Sequence, residues 1–302
     1  MTSNGHKSIE ILKTTKIVLS PIDELKLIVL VEDSSNLSNP NLMAKHGLSF
    51  FLESKIMNIT SRIISDVGPA PDIALRNAES LGLDVRKSDS IFITHGHYDH
   101  VGALSEFLKF IDRPIPVISH PDIIDQKIAF RPKLMPIGMD SKQLEIWFDY
   151  FIFTRKPFEI SKGVMTSGEI VRSTDFEDVK GLWKIKDNLF TKDNLLEEQS
   201  LIINIRNKGL MILIGCSHPG VINIIRHAQQ ITGIKKIHAV VGGMHLLKAD
   251  RNKILKVIKE LLTLDFDFIH PCHCTGTKTI NLFMNFFEDR CVPIQTGSII
   301  KF

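Results

Sequence analysis

Short apolar runs, many of them β-branched, punctuate the chain at 25–32, 48–53, 61–66, 90–94 and 116–119, each bounded by polar or turn-forming residues. Runs of this kind read as strands buried on one or both faces. Between them, Ile73, Ala74, Ala78 and Leu81 recur at helical spacing, with Pro71 just before and Gly82 near the end, which predicts a helix over 72–83. Similar patterns predict helices over 103–111 and 121–130. The pattern weakens over about 131–194, then resumes. Strands are expected at 200–206 and 210–215 across Asn207-Lys208-Gly209, then a helix at 220–231 and a strand at 236–241. A helix at 252–264, a strand at 266–271, a helix at 278–287 and a last strand at 292–300 follow. Two strand-rich halves with helices after the strands predict a layered α/β sandwich. It is read as one domain over 1–302, with a less regular insertion at about 131–194. The aromatic cluster Trp147, Phe148, Tyr150, Phe151 and Phe153 in that insertion fits core packing, or a wall for a planar ligand.

Composition narrows the class. A chain of 302 residues can bury a large core, and 43% hydrophobic with 24% charged residues is ordinary for a soluble globular protein. A net charge of +3 without a long basic run argues against nucleic acid as a partner. The polar N-terminus from Met1 to Lys7 is not followed by a signal-type apolar core, and the longest apolar runs are too short to span a bilayer. A cytoplasmic location without membrane attachment is therefore expected. The cysteines, Cys216, Cys272, Cys274 and Cys291, are too few for a disulfide scaffold in a chain this long. Cys272 and Cys274 flank His273 and also fit small buried residues at a strand end.

The densest chemistry follows Ile91-Phe92-Ile93, in Thr94-His95-Gly96-His97-Tyr98-Asp99-His100. Imidazole and carboxylate are the ligands that zinc-like divalent metals favour. A strand opening into a loop can turn His95, His97, Asp99 and His100 toward one point. So many ligands so close together predict two ions, about 3.5–4 Å apart. Three more histidines end apolar runs: His218 after 211–217, His245 after 240–244 and His273 after 268–272. Loops beyond strand ends are where α/β proteins gather functional groups, so these three are candidates for the same site. His120, in Ser119-His120-Pro121-Asp122, is a further candidate. Asp66, at the end of 61–66, reads as a carboxylate that orients a ligand or braces a loop. His6, His46, His227, His238 and His270 are assigned surface or packing roles, with a loop at the pocket mouth as the alternative for His46.

These residues carry a resemblance. Thr94 to His100 resembles the His-x-His-x-Asp-His motif of the metallo-β-lactamase superfamily, and Asp66-Val67-Gly68 resembles its preceding Asp-x-Gly turn. Four more segments resemble one branch of it: Lys45 to Phe50, Gly215 to Gly220, Gly242 to Leu246 and Pro271 to Gly276. That branch holds the 7,8-dihydropterin-6-methyl-4-(β-D-ribofuranosyl)aminobenzene-5′-phosphate synthases of methanopterin biosynthesis and related metal-dependent hydrolases. The resemblance covers about 25–302.

It implies an αββα sandwich of the metallo-β-lactamase type, with the metals in a cleft at one edge of two sheets. It implies one or two divalent ions, zinc first, with manganese or iron as alternatives. His95, His97 and His218 would hold the first ion, and Asp99, His100 and His273 the second. His245 would sit beside them as proton donor to the leaving group or as a phosphate contact, with Asp99 the other catalytic residue. In one departure, Cys216 stands where many members place a bridging aspartate, so Cys216 as thiolate, or His218, would take that role. His97 stands where di-iron, oxygen-reducing relatives have glutamate, which favours Lewis-acid chemistry.

Two reactions follow from the resemblance. One joins an activated dihydropterin to an aminobenzene ribofuranosyl phosphate with loss of pyrophosphate. The other is hydrolysis of a phosphodiester, lactone or thioester. A nuclease lacks its basic substrate arm, and a metal-binding protein without turnover is the alternative of another class. The expected partner is a small phosphorylated molecule, with self-association left open. Arg131, Lys133 and Lys162 are available as phosphate contacts, with solvated surface as the alternative.

Overall fold

A computed structural model describes residues 16–130 and 133–302; His6, Arg131 and the polar N-terminus lie outside the described residues. The first half runs β1 (Glu24–Val31), β2 (Ser49–Ile56), β3 (Ile59–Ser65), α1 (Pro71–Ser80), β4 (Ser90–Phe92), α2 (Tyr98–Val101), α3 (Leu104–Ile111), β5 (Val117–Ser119), β6 (Gln126–Phe130) and β7 (Leu134–Pro136). It continues through α4 (Ser141–Trp147), β8 (Phe151–Phe153), β9 (Glu159–Ser161), β10 (Val164–Thr166), β11 (Leu182–Lys186) and β12 (Leu189–Lys192). The second half runs β13 (Leu201–Ile205), β14 (Gly209–Ile214), α5 (Val221–Thr232), β15 (Ile237–Gly243), α6 (Arg251–Leu262), β16 (Phe266–Cys272), α7 (Thr277–Phe287) and β17 (Ile299–Lys301).

Among the described residues the strands form three sheets, ordered β17-β1-β2-β3-β4-β5-β8, β16-β15-β14-β13-β10-β9 and β12-β11-β6-β7. Alternation along the strands decides how the first two pack, because successive side chains point to opposite faces. Leu27, Val29, Phe50, Leu52, Ile63 and Phe92 of the first sheet meet Val164, Leu201, Ile203, Met211, Leu213 and Val241 of the second in one buried layer. The intervening residues Ile28, Leu30, Ile64 and Ile91 face outward and are covered by α1 and α3 through Ile73, Ala74, Ala78, Leu104, Phe107 and Leu108. On the far side, Ile202, Ile212, Ile214 and Val240 are covered by α5, α6 and α7 through Ile224, Ala228, Ile254, Val257 and Phe283. The order of layers is therefore helix, sheet, sheet, helix, the αββα sandwich that the resemblance implies. No helix of the described residues is long and apolar enough to cross a membrane.

Strand direction places the site. β3, β4 and β5 are parallel neighbours, and so are β14, β15 and β16. The loops after them, which carry Asp66, the 94–100 motif and His120 on one sheet and the 216–218, 244–245 and 273–274 segments on the other, therefore leave at common edges. β1 and β3 flank β2 antiparallel, so β1 ends, and β2 begins, at the same edge as the β3 loop.

Three stretches differ from their sequence pattern. Residues 121–130 form a single 3-10 turn at Pro121–Ile124 and then strand β6. Pairing with β11 supplies that strand's backbone partners, while Lys127 and Ala129 turn inward. Of 292–300, only the tail enters a strand, β17 paired with β1. The middle stretch holds more order than its pattern predicts: β8 joins the first sheet, β9 and β10 the second, and β7, β11 and β12 the small third sheet. Its aromatic cluster is mostly core packing, since Trp147, Tyr150, Phe151 and Phe153 lie against the helix-covered face of the first sheet.

Candidate metal centre

Two groups of ligand-type side chains face each other across the sheet edges. In the first, His95 Nε2 lies 3.0 Å from His97 Nδ1, and a ring nitrogen of His218 lies within 4.8 Å of both. The first turn of the motif is braced by Asp66, which accepts from Thr94 N and Thr94 Oγ1, both at 2.8 Å. His218 is held by Glu198, which accepts from His218 Nδ1 at 2.6 Å and His218 N at 2.7 Å. The same carboxylate accepts from Cys216 N at 2.9 Å and Ser217 N at 2.6 Å.

In the second group, Asp99 Oδ2 lies 3.5 Å from His273 Nε2 and 4.0 Å from His100 Nε2. Asp66 Oδ2 takes the other nitrogen of His100 at 2.7 Å, and Asp33 Oδ1 takes His273 Nδ1 at 2.6 Å. Cys216 sits between the groups, its Sγ 3.3 Å from His100 Nε2 and within 4.8 Å of ligand atoms on His95, His218 and His273. The structure thus brings both Cys216 and His218 to the cluster. His245 stands beside it, with its ring centroid 4.3 Å from that of His218 and its side chain exposed.

Electrostatics prepare the two groups differently. Burial, with the neighbouring imidazoles, holds His95, His97 and His218 well below the usual histidine range, so their lone pairs are free. Burial also works against charge on His100 and His273, but Asp66 and Asp99 beside the first, and Asp33 and Asp99 beside the second, outweigh it and raise both. Burial likewise opposes charge on Asp99, yet His100 and His273 hold its carboxyl well below the ordinary range. Burial pushes the Cys216 thiol up, so a cation is what would make it a thiolate.

The residues fit divalent metal. His273 Nε2 and His97 Nε2 are buried without a hydrogen-bond partner. Buried polar atoms rarely stay orphaned, and a cation at the His273 nitrogen would satisfy it. Imidazole, carboxylate and thiol together are a zinc-type donor set. The loops that present them hold non-glycine residues in the left-handed region: Asp66 at φ 55°, Ser217 at 61°, His245 at 48° and His273 at 48°. Such backbone persists only where surrounding contacts over-determine it. Here Ser217 Oγ bonds Gly243 O at 2.6 Å and His273 N bonds Glu32 Oε1 at 2.6 Å.

Residues 60–168 match the metallo-beta-lactamase superfamily profile. A 7,8-dihydropterin-6-methyl-4-(beta-D-ribofuranosyl)-aminobenzene-5'-phosphate synthase of Methanocaldococcus jannaschii is 34% identical over 292 residues, 94% of this chain and 99% of that protein. The chain belongs to the metallo-β-lactamase superfamily. The crystal structure of Tm1679, described as a metal-dependent hydrolase of the beta-lactamase superfamily, superposes with a TM-score of 0.75 at 26% identity, covering 91% of this chain and 98% of that one. Zn(2+)-bound PqqB from Methylobacterium extorquens shares the fold, with a TM-score of 0.52 at 10% identity over 91% of this chain and 99% of that one.

The chain of this superfamily member signals most of the cluster and one of its supports, Asp66, which both braces Thr94 and orients His100, but not Asp33 or Glu198. His120 is not drawn in: its Nδ1 accepts from Asp122 N and its Nε2 faces Glu169 Oε1, each at 3.0 Å. Lys133 and Lys162 are exposed. His227, His238 and His270 bond Ser167 O, Asp267 and Val292 O. His46 is half-exposed and reaches the second group, as the pocket-mouth alternative has it, and Asp33 and Cys274 join the cluster as well. The acidic pairs Glu32-Asp33 and Glu197-Glu198 abut strong apolar runs, and that abutment was the available signal. A groove lined by Glu177, Asp178, Ser217, Met244 and Lys253 leads to His218 and His245. A larger cleft of about 300 Å³, lined by Glu24, Lys26, Glu53 and Lys55, lies at the other end of β1 and holds no imidazole.

Proposed function

We propose that this protein is a metal-dependent enzyme that joins an activated dihydropterin to an aminobenzene ribofuranosyl phosphate, with loss of pyrophosphate. The observation that carries this reading is the near end-to-end relationship, at 34% identity, to a protein named as that synthase. The donor geometry supports two neighbouring ions, one at His95, His97 and His218 and one at Asp99, His100 and His273, with Cys216 between them. When bound, such ions act as Lewis acids that take up negative charge on the oxygens of a departing group.

The chain's own residues position and protonate. Asp66 and Glu198 fix the ring angle and tautomer of His100 and His218, which holds ligands in place before substrate arrives. His245, on its left-handed turn beside His218, would hand a proton to the leaving oxygen, a role that its nearness to the cluster supports. Lys253 lines the same groove, its ammonium 3.5 Å from Asp178 Oδ1, and would turn to a phosphate by leaving that pair.

The test mixes zinc- or manganese-loaded protein with the dihydropterin pyrophosphate and the aminobenzene ribofuranosyl phosphate, and follows the joined product by mass spectrometry. Product is expected from the wild type and not from His95→Ala. No product from metal-replete wild type would refute the reading. A second reading, hydrolysis of a phosphodiester, lactone or thioester, is favoured by the likeness to Tm1679, and a panel of those substrates tests it.

A further inference from the structure

His46 stands apart from the motif histidines in sequence, yet its ring meets the second group. His46 Nε2 lies 3.4 Å from Asp99 Oδ2, the oxygen that also stands 3.5 Å from His273 Nε2 and 4.0 Å from His100 Nε2. A tetrahedral shell with metal–nitrogen bonds of about 2.0–2.1 Å has ligand–ligand edges of about 3.3 Å. The nitrogens of His46 and His273 are therefore spaced from Asp99 as two ligands sharing one ion with that carboxylate.

Asp33 ties the two rings together. Its Oδ2 lies 2.9 Å from His46 Nδ1, and its Oδ1 lies 2.6 Å from His273 Nδ1. With each Nδ1–H donated to the same carboxylate, both rings present an Nε2 lone pair toward Asp99. That pairing of carboxylate and imidazole is how proteins orient metal-bound histidines. The His46 loop is also held against the motif. Leu48 N donates to Asp99 O at 3.1 Å, and Gly47 N to Asp33 Oδ1 at 3.3 Å. At Gly47, φ is 149° and a Cβ would sit 2.6 Å from Asp99 O, so only glycine allows this approach.

We propose that His46 is a fourth protein ligand of the ion held by Asp99, His100 and His273, in a shell that expands to five when a substrate oxygen enters, and that Asp33 positions it. This rests on the metal-dependent reading above and extends it to a residue outside the implied ligand set. His46 is half-exposed, with 49% of its side chain accessible, so it forms the outer, solvent-facing side of that shell.

The experiment titrates cobalt(II) into metal-free, full-length protein and follows bound ions by native mass spectrometry and by visible absorption. Wild type is expected to bind two ions. His46→Ala is expected to keep the first with unchanged affinity and to bind the second roughly 10–100-fold more weakly, with altered visible bands. His46→Cys is expected to add thiolate-to-cobalt charge-transfer absorption over wild type, and far-UV circular dichroism of both metal-free variants checks folding. If His46→Ala binds the second ion as tightly as wild type, and His46→Cys adds no such absorption, His46 is not a ligand. If wild type itself binds no ion, the metal-dependent reading falls, and this inference with it.

Discussion

Four backbone and side-chain donors converge on the buried Glu198 carboxylate: the amides of Cys216, Ser217 and His218, and the His218 ring. One side chain therefore shapes the turn that carries two candidate ligands and fixes the tautomer of one. Glu198→Gln keeps the shape but replaces one acceptor oxygen with an NH₂ group that faces donors. Metal affinity at the His95, His97 and His218 group is expected to fall roughly 10–100-fold. Stability is expected to drop by about 1–3 kcal/mol, because an amide donor is left buried without a partner. Competition against a chromophoric chelator and a urea titration measure the two effects. An unchanged affinity would remove Glu198 from this role.

At the scale of elements, the site depends on β14 and β15 ending side by side. Gly242, near the end of β15, has φ 131° and no room for a Cβ, which would strike the carbonyl of Ile214 at the end of β14. Gly243 N also donates to Gly215 O at 3.1 Å just beyond. Gly242→Ala forces these strand ends apart. A destabilisation of at least about 1–3 kcal/mol from backbone strain is expected, together with weaker metal binding, because the His218 and His245 loops start there. Chemical denaturation and metal titration of the same variant check it, and wild-type values in both would show that the ends tolerate separation. Element patterns were legible where one face is buried, as in β1, β2 and α5. They misled at 121–130, where the apolar spacing looked helical but the partner strand β11 lies more than fifty residues away.

The whole molecule is joined to its small third sheet by a buried charge cluster. Lys127 of β6 places its ammonium 2.7 Å from Glu197 Oε1 and 3.1 Å from Asp193 Oδ2, with all three side chains essentially inaccessible. Burial, only partly offset by Lys127, pushes Glu197 from 4.5 up to about 7. A carboxyl raised on folding binds its proton more tightly in the native state than in the unfolded one. Its contribution is full below about pH 4.5 and is lost as pH rises through about 7, a change on the order of 3 kcal/mol at 1.36 kcal/mol per unit. The melting temperature of wild type is therefore expected to decline across pH 5–8 more than that of Glu197→Gln, which cannot titrate. Parallel profiles from calorimetry over that range would show that Glu197 keeps an ordinary pKa.

The sequence alone determined a layered α/β sandwich and most of the cluster, and the αββα order came with the family resemblance. Alternating apolar positions mark buried strands wherever they lie in the chain, and the 94–100 motif packs its ligand types within one loop. His218, His245 and His273 were legible for a related reason: each ends an apolar run, and parallel strands end together. Glu198 carries no such mark, Asp33 follows its apolar run only as half of an ordinary acidic pair, and His46 is marked only as part of a loop at the pocket mouth. A carboxylate before a strand, or a histidine before a glycine, is ordinary surface chemistry until distant strands are paired. Only the tertiary structure brings Asp33 and His46 to Asp99 and His273, across as many as 240 residues of chain, and so decides which polar groups lose water and must find partners in one another.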